Sequence, residues 1–225
     1  MPQRGFDVLA PHYQWMEYAL AGEMLQRSRV EFLSEVHPRE VLLAGEGHGR
    51  FLGEFITIFP EARVTCVDAS AVMLAVAKRR LERRGVAADQ VTWVHASLPG
   101  WEPSPARFDL VVTNFFLDCF GGGELRSVIA AIARGCAPQA AWIVTDFHVP
   151  SGGIRRARAK AALWLMYRFF GVMTQLQASH LEDPTLWISE SGFSLQAERF
   201  RNGNFIRSQL WARGTVQPGV EEFHV

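Results

Sequence analysis

The chain has 225 residues, of which 48% are hydrophobic and 20% charged, and its 23 basic side chains balance its 23 acidic ones. This composition indicates an ordinary globular chain of single-domain size rather than a disordered one. A dedicated nucleic-acid-binding protein usually carries a basic excess, because phosphate neutralisation supplies most of its affinity, so the zero net charge argues against that class.

The cysteines and the apolar segments bear on the compartment. Cys66, Cys119 and Cys136 are far apart and odd in number, so free thiols in a reducing environment are expected. No Cys/His pair has metal-ligand spacing, and no metal is expected. The amino terminus lacks a signal-peptide pattern, and the longest apolar stretch is short and contains Arg168. We therefore expect a cytoplasmic protein without a transmembrane segment, either a monomer or a homodimer.

Short β-rich segments alternate with helical ones through most of the chain. Strands are predicted over residues 40–45, 63–69, 91–96, 107–116 and 140–149. A helix follows the first strand, and others are predicted over 70–85, with Ser70 as N-cap and Gly85 as the stop, and over 121–138. This alternation predicts a parallel sheet in a doubly wound α/β fold.

The pattern changes after Val149. Helices are predicted over 154–173 and 180–191, and two strands over 193–200 and 204–213, with Asn202-Gly203 as a hairpin turn. The expected fold is therefore a doubly wound seven-stranded sheet, mostly parallel, with an antiparallel C-terminal hairpin.

Residues 41–53 read VLLAGEGHGRFLG, which places three glycines at the first strand-to-helix turn. Ligands bind at the carboxyl ends of such strands, where glycines let the backbone come close to them. A turn without a ligand needs one glycine rather than three. Asp68 ends the second strand about twenty positions later, where a carboxylate can accept the hydroxyls of a ribose or cap the next helix.

A dinucleotide is one ligand that fits a glycine turn of this kind. Its fingerprint is G-x-G-x-x-G, but here the spacing is G-x-G-x-G and Arg50 takes the third glycine's place. A short-chain dehydrogenase would also show Tyr-x-x-x-Lys, and none of the three tyrosines has a lysine at that spacing. An NAD(P)-binding oxidoreductase is therefore kept as the alternative function.

Four segments follow one another along the chain: VLLAGEGHGRFL, VTCVDASAVML, VTWVHASLP and FDLVVTNFFLDCF. Taken in this order, they resemble the class I S-adenosylmethionine-dependent methyltransferases, which have a Rossmann-like fold, and the resemblance runs over about residues 6–213. The opening FDVLAPHYQWMEY also resembles that of the quinone and small-molecule C-methyltransferases. The resemblance implies methyl transfer from S-adenosylmethionine to a small molecule, with an aromatic or quinone-like acceptor as one class that fits.

The resemblance also implies roles for particular residues. Asp68 would bind the ribose, Met73 would pack on the adenine, and the end of the fourth strand would face the methyl group. Leu43 stands where the family usually has an acidic residue for the methionine ammonium, so Glu46 would make that contact or cap the helix. The full set of implied cofactor residues is Gly45, Glu46, Gly47, His48, Gly49, Asp68, Ala69, Met73, Ala96, Ser97, Asn114 and Phe115.

The sequence indicates the residues of the acceptor site less clearly than those of the cofactor site. Methyltransferases acting on planar amides or base amino groups carry Asn-Pro-Pro-aromatic, but here Phe115 and Phe116 follow Asn114, so DNA and protein-glutamine substrates are not expected. A general base is needed only for a weakly acidic acceptor. The candidate bases are Tyr13, Asp118 and His148. Further candidates are His12, Cys119 and Asp146. A non-catalytic S-adenosylmethionine- or S-adenosylhomocysteine-binding protein remains a further alternative.

We expect residues 1–225 to form a single methyltransferase domain with four segments. Residues 1–37 would be a helical lid, 38–150 the cofactor-binding core, 151–191 a helical insert that forms the acceptor pocket, and 192–213 the β-hairpin.

Overall fold

The fold is a seven-stranded sheet covered by helices, seen in a computed structural model that describes residues 23–86, 89–174 and 181–214, with only the backbone described over 165–174. Its strands are β1 (Glu40–Ala44), β2 (Arg63–Asp68), β3 (Val91–His95), β4 (Phe108–Asn114), β5 (Cys136–Phe147), β6 (Phe193–Arg201) and β7 (Ile206–Arg213). The sheet order is β3-β2-β1-β4-β5-β7-β6, with β1 to β5 parallel and β7 antiparallel to both its neighbours. The predicted fold class is confirmed.

Six helices connect the described strands. They are α1 (23–29), α2 (Arg50–Ile58), α3 (Ala71–Glu82), α4 (Gly122–Gly135), α5 (Gly153–Thr174) and α6 (Thr185–Glu190). Short 3-10 turns cover Leu33–Glu35 and Leu117–Cys119. Within the described residues, no helix combines the length and the apolar character that crossing a bilayer requires.

Hydrophobic residues cover both faces of the sheet, as a buried parallel sheet requires. On one face, Leu43, Val112 and Ile143 of the central strands pack with Phe51 and Phe55 of α2. On the other face, side chains of the same strands pack with α4 and α6: Leu42, Val111, Trp142, Leu125, Ile129 and Ile188. Since α2 and α4 lie on opposite faces, the chain reverses its winding between β1 and β4, and a crevice forms there at the carboxyl edge.

Several local predictions agree with the structure. Ser70 caps α3, because its hydroxyl accepts the N–H of Met73 at 3.2 Å. Gly85, three residues after the end of α3, has a φ of +70°. Cys66 and Cys136 are buried free thiols, and Cys119 is a partly buried one.

Other boundaries differ from the predictions. We expected a helix over 121–138, but α4 ends at Gly135 and β5 begins at Cys136, because Cys136 pairs with Phe108 of β4. The predicted helix over 180–191 is the shorter α6, whose first turn is fixed by Asp183 accepting the N–H of Thr185 at 3.0 Å. The hairpin loop has four residues, 202–205, rather than the two of the Asn-Gly signal.

Candidate functional site

The three glycines follow β1, and each meets a different neighbour. A Cβ on Gly45 would lie 2.1 Å from Cδ2 of Phe116, and one on Gly49 would lie 2.8 Å from Cα of Ala77 in α3. A Cβ on Gly47 would meet nothing within 4 Å, although the φ of Gly47 is +67°. Gly45 and Gly49 therefore serve close packing, and Gly47 presents bare backbone to open space at the crevice.

Glu46 lies inside this turn and caps α2. Its Oε1 accepts the N–H of Leu52, in the first turn of the helix, at 3.0 Å. The helix N-terminus, where a dinucleotide diphosphate would bind, therefore already holds the carboxylate of the protein itself. Sequence reasoning left open whether Glu46 caps the helix or binds an ammonium, and the capping contact is present.

Asp68 ends β2 and joins the turn to α3. Its Oδ2 accepts the N–H of Gly47 at 3.0 Å, and its Oδ1 accepts the N–H of Ser70 at 2.8 Å. A carboxylate has about four acceptor positions and can therefore accept several donors at once. Asp68 thus has a structural role beside the expected binding role.

The residues expected around an adenine lie at the ends of β2 and β3. Met73 is buried in the first turn of α3. Ala96 follows β3 and donates its N–H to the carbonyl of Asp68 at 3.1 Å, and the carbonyl of Ser97 accepts the N–H of Trp101 at 2.8 Å. The Nε2 atom of His95 is 3.1 Å from the carbonyl of Ala69. These contacts bring the motif segments together at one edge of the sheet.

Asn114 and Phe115 end β4 at the same edge. Asn114 is 8% exposed, yet neither its Oδ1 nor its Nδ2 has a hydrogen-bond partner among the described residues. Buried amides without partners are uncommon and call for an explanation such as a missing ligand or water. The ring of Phe115 lies 4.9 Å from that of Phe147, which in turn lies 5.1 Å from Phe205. An amide without a hydrogen-bond partner in the described part of the chain and an aromatic cluster therefore adjoin the crevice.

Two carboxyl groups lie beside this strand end. Asp146 of β5 is 4% exposed, and its Oδ1 accepts the N–H of Phe116 at 3.2 Å. Asp118 lies in the 3-10 turn after β4, and the thiol of Cys119 lies 3.7 Å from its Oδ1. Burial raises the pKa of Asp118 to about 6, and burial together with the charge of Asp118 holds the pKa of Asp146 well above its usual range.

The other candidate bases are placed differently. The Nδ1 atom of His148 is 2.8 Å from the carbonyl of Asn204, and its ring packs edge-on against Phe200, so His148 belongs to the contact between β5 and the hairpin. Tyr13 and His12 lie outside the described residues.

Sequence reasoning missed a contribution from α1. The guanidinium of Arg29 lies 5.2 Å from the centre of the Phe115 ring, and its Nη1 donates to Oε1 of Gln26 at 3.4 Å. The backbone carbonyl of Ser28 also accepts the hydroxyl of Ser208 of β7 at 2.9 Å. The sequence of residues 23–29 does not predict these contacts, because they depend on where α1 packs against the sheet.

Comparisons with known proteins agree with this geometry. Residues 41–139 match the model of a methyltransferase domain. A trans-aconitate 2-methyltransferase from an Acidovorax species is 28% identical over 144 residues, which are 61% of this chain and 52% of that protein. A demethylmenaquinone methyltransferase from Thermus thermophilus is 26% identical over 168 residues, 73% of this chain and 70% of that protein. The chain spans about half the length of the first of these relatives.

Solved structures share the fold. A Burkholderia thailandensis 1,6-didemethyltoxoflavin N1-methyltransferase, with 1,6-didemethyltoxoflavin and S-adenosylhomocysteine bound, matches with a TM-score of 0.65 and 16% identity, covering 93% of this chain and 86% of that one. An N-methyltransferase from Bradyrhizobium japonicum in complex with S-adenosylhomocysteine matches with a TM-score of 0.60 and 14% identity, covering 85% and 84%. The chain therefore contains a segment that matches a methyltransferase domain, and it shares its fold with methyltransferases that bind S-adenosylhomocysteine, in line with the resemblance of its motifs.

Proposed function

We propose that the chain binds S-adenosylmethionine at the carboxyl edge of the sheet and transfers its methyl group to a small-molecule acceptor. The observation that carries the proposal is the glycine turn. Gly47 opens onto the crevice, while Glu46 already occupies the N-terminus of α2 through the N–H of Leu52.

The charges of the turn favour this cofactor over a dinucleotide. Glu46 and Asp68 bring two carboxylates to the turn, and the nearby Arg50 is bound by Glu23 at 3.0 Å. A diphosphate would be repelled by these carboxylates, whereas a sulfonium and an ammonium group would be attracted. An NAD(P)-binding oxidoreductase is therefore not favoured.

The residues of the chain fit the parts of the cofactor. Asp68 would accept the ribose hydroxyls, Met73 would pack on the adenine, and the backbone of Gly47 would lie along the ligand. The buried amide of Asn114, at the end of β4, has a donor and an acceptor without partners among the described residues. When bound, S-adenosylmethionine supplies an already activated methyl group, so the protein mainly aligns the acceptor and excludes water.

We propose an aromatic or quinone-like acceptor. The rings of Phe115, Phe147 and Phe205 line up beside the end of β4, which offers apolar faces to a flat molecule. The relatives named for demethylmenaquinone and for 1,6-didemethyltoxoflavin support this class. In this proposal the segment 1–37 and the insert 151–191 complete the acceptor pocket around the core; residues 1–22 and 175–180 of these segments lie outside the described residues.

Differential scanning fluorimetry tests the proposed cofactor. S-adenosylhomocysteine should raise the melting temperature, because a ligand that binds only the native state stabilises it by mass action. A shift with NAD and none with S-adenosylhomocysteine would reverse the assignment. A non-catalytic binder would show the shift but no methyl transfer to any acceptor in a panel of hydroquinones and phenols.

A further inference from the structure

The first half of α5, residues 153–164, exposes basic and apolar side chains together. Between residues 147 and 181 the chain has five lysine and arginine residues and no acidic residue, although the charges of the whole chain balance. We propose that the outer side of this helix docks on a bilayer surface that contains anionic lipids. The inference goes beyond the proposed function and does not depend on it, because it rests on a surface of the helix alone.

An apolar stripe runs along the outer side of this helix. Ala159 and Leu163 are each 5% exposed and mark the side that packs against the protein. Ala161 stands two residues from each of them, which is roughly 200° around the helix axis, and it therefore lies on the opposite side. Exposed residues follow this outer side at positions i, i+3, i+7 and i+10, and they form the apolar stripe: Ile154, Ala157, Ala161 and Trp164.

The apolar stripe holds the two most exposed large hydrophobic side chains in the described part of the chain. Ile154 is 78% exposed and Trp164 is 65% exposed. Single exposed apolar side chains are ordinary, but apolar residues that share one exposed face indicate a surface that binds something. Trp is also enriched where a bilayer meets water, because its ring is apolar while its indole N–H is polar.

Cations flank the apolar stripe on both sides. Arg158 stands four residues after Ile154, and Lys160 stands four residues before Trp164, so the two cations lie on opposite sides of the stripe. Two more exposed arginines, at positions 155 and 156, lie further around the helix. No described carboxylate forms an ion pair with any of these four cations. The helix therefore presents positive charge that the protein itself does not neutralise.

This arrangement fits an anionic bilayer better than the other partners that a basic helix can have. A helix with an apolar stripe between cations can lie in the plane of the interface, with its cations at the lipid phosphates. A nucleic acid would place its phosphates against the apolar stripe. The groove of an acidic protein holds a helix by its apolar face and often encloses it, but one side of α5 already packs against this protein at Ala159 and Leu163.

Co-sedimentation with lipid vesicles tests the inference without any adenosyl ligand, so the outcome does not bear on the proposed cofactor. Each basic residue near an anionic leaflet strengthens binding about fivefold, so vesicles of phosphatidylcholine with about 30% phosphatidylserine should bind the protein at least about a hundredfold more tightly than phosphatidylcholine alone. Added salt should weaken this binding, because it screens surface charges. Equal binding to the two kinds of vesicle, or binding to neither, would overturn the inference.

A pair of triple variants with the same change in net charge tests the cations. Three cations of α5 become glutamine in the first variant: Arg155→Gln, Arg158→Gln and Lys160→Gln. Three exposed basic residues at the end of α3 become glutamine in the control: Lys78→Gln, Arg79→Gln and Arg83→Gln. The α5 variant should bind anionic vesicles about a hundredfold more weakly than the wild type, and the α3 control should bind nearly as the wild type does. Equal losses in both variants would assign the effect to net charge and contradict the proposal.

The apolar stripe is tested by a variant that keeps every charge. Ile154→Ser combined with Trp164→Ser should weaken binding to anionic vesicles at least about tenfold, because the helix loses the side chains that enter the bilayer. Ile58→Ser on α2 is the control, since Ile58 is 51% exposed on a different helix, and it should bind as the wild type does. A double variant that melts and binds like the wild type would show that α5 meets a negatively charged partner through charge alone, and the proposed docking on a bilayer would be wrong.

Discussion

At the scale of single residues, the three glycines of the first turn are required for three different reasons. Gly45 makes room for Phe116, Gly49 lies against Ala77, and only Gly47 opens onto the crevice. The spacing of the glycines predicted a ligand turn. It could not separate these roles, because the partners Phe116 and Ala77 are 71 and 28 positions away from their glycines (116 − 45 and 77 − 49).

Gly47→Ala should impair binding more than folding. The left-handed φ should lower stability by about 1 kcal/mol, and the new methyl group, placed where the ligand lies, should weaken S-adenosylhomocysteine binding at least about tenfold. Gly85→Ala is the matched control, since Gly85 has a φ of +70° and equally open surroundings. It should show the same small drop in melting temperature with unchanged affinity. Equal affinities for the two variants would remove Gly47 from the cofactor site.

Gly49→Ala should impair folding more than binding. Its Cβ would lie 2.8 Å from backbone Cα of Ala77, so α2 and α3 must move apart and the apo protein should lose several degrees of melting temperature. A thermal melt of the ligand-free variant measures this loss. A melt like that of Gly47→Ala would contradict the packing role.

Asp68→Ala should weaken cofactor binding by about 1.5–3 kcal/mol, the size of charge-assisted hydrogen bonds. The sequence placed Asp68 at a strand end, where it could bind a ribose or cap the next helix. The structure adds two backbone N–H groups, of Gly47 and Ser70, that this carboxylate accepts, so stability should also fall by about 1–2 kcal/mol. Calorimetry and urea unfolding measure the two losses, and an unchanged affinity would exclude the ribose contact.

At the scale of elements, the order of strands and helices was predictable and several ends were not. The apolar runs of β1, β2 and β4 and the Ser70 cap are local signals. The start of β5 has no such local signal, because the pairing of Cys136 with Phe108 determines where α4 ends and the strand begins. The contacts of α1 with β5 and β7 depend on tertiary packing alone, which is why Arg29 and Gln26 were missed.

The N-terminus of α2 should depend on Glu46. Glu46→Ala removes the acceptor for the N–H of Leu52 and should cost about 1 kcal/mol of stability, as for other N-terminal caps. Glu46→Gln keeps an acceptor oxygen and should recover most of that loss. Glu54→Ala is the control, because it removes a glutamate from the same helix and leaves the Glu46 cap in place. Chemical denaturation measures all three, and a fully stable Glu46→Ala would show that the cap contributes nothing.

The 3-10 turn after β4 should be stabilised by removing its charge. The pKa of Asp118 is raised to about 6 from the ordinary value near 3.8, so the native state binds the proton more tightly than the unfolded chain. Asp118 therefore weakens the fold progressively as pH rises from about 4 to about 6. Asp118→Asn should raise the melting temperature by a few degrees at pH 7 and leave it unchanged near pH 4. An equal change at both pH values would point to packing instead of charge.

At the scale of the whole molecule, the alternation of strands and helices was enough to predict the doubly wound sheet and its closing hairpin. The crevice follows from that topology, since the winding reverses between β1 and β4 and the carboxyl ends of β1, β2 and β4 meet there. What the alternation could not show is the electrostatic character of the edge. Glu46, Asp68, Asp118 and Asp146 are scattered along the chain. In the folded sheet they lie close enough to two thiols that, after burial, their charges help to raise the pKa of Cys66 and of Cys119.

The central claim is that this crevice holds the adenosyl cofactor, and a crystal structure grown with S-adenosylhomocysteine tests it most directly. We predict electron density along the backbone of Gly47, with the ribose hydroxyls within about 3.2 Å of the Asp68 carboxylate and the adenine against Met73. Density for the ligand elsewhere, or a crevice that stays empty at saturating ligand, would contradict the claim.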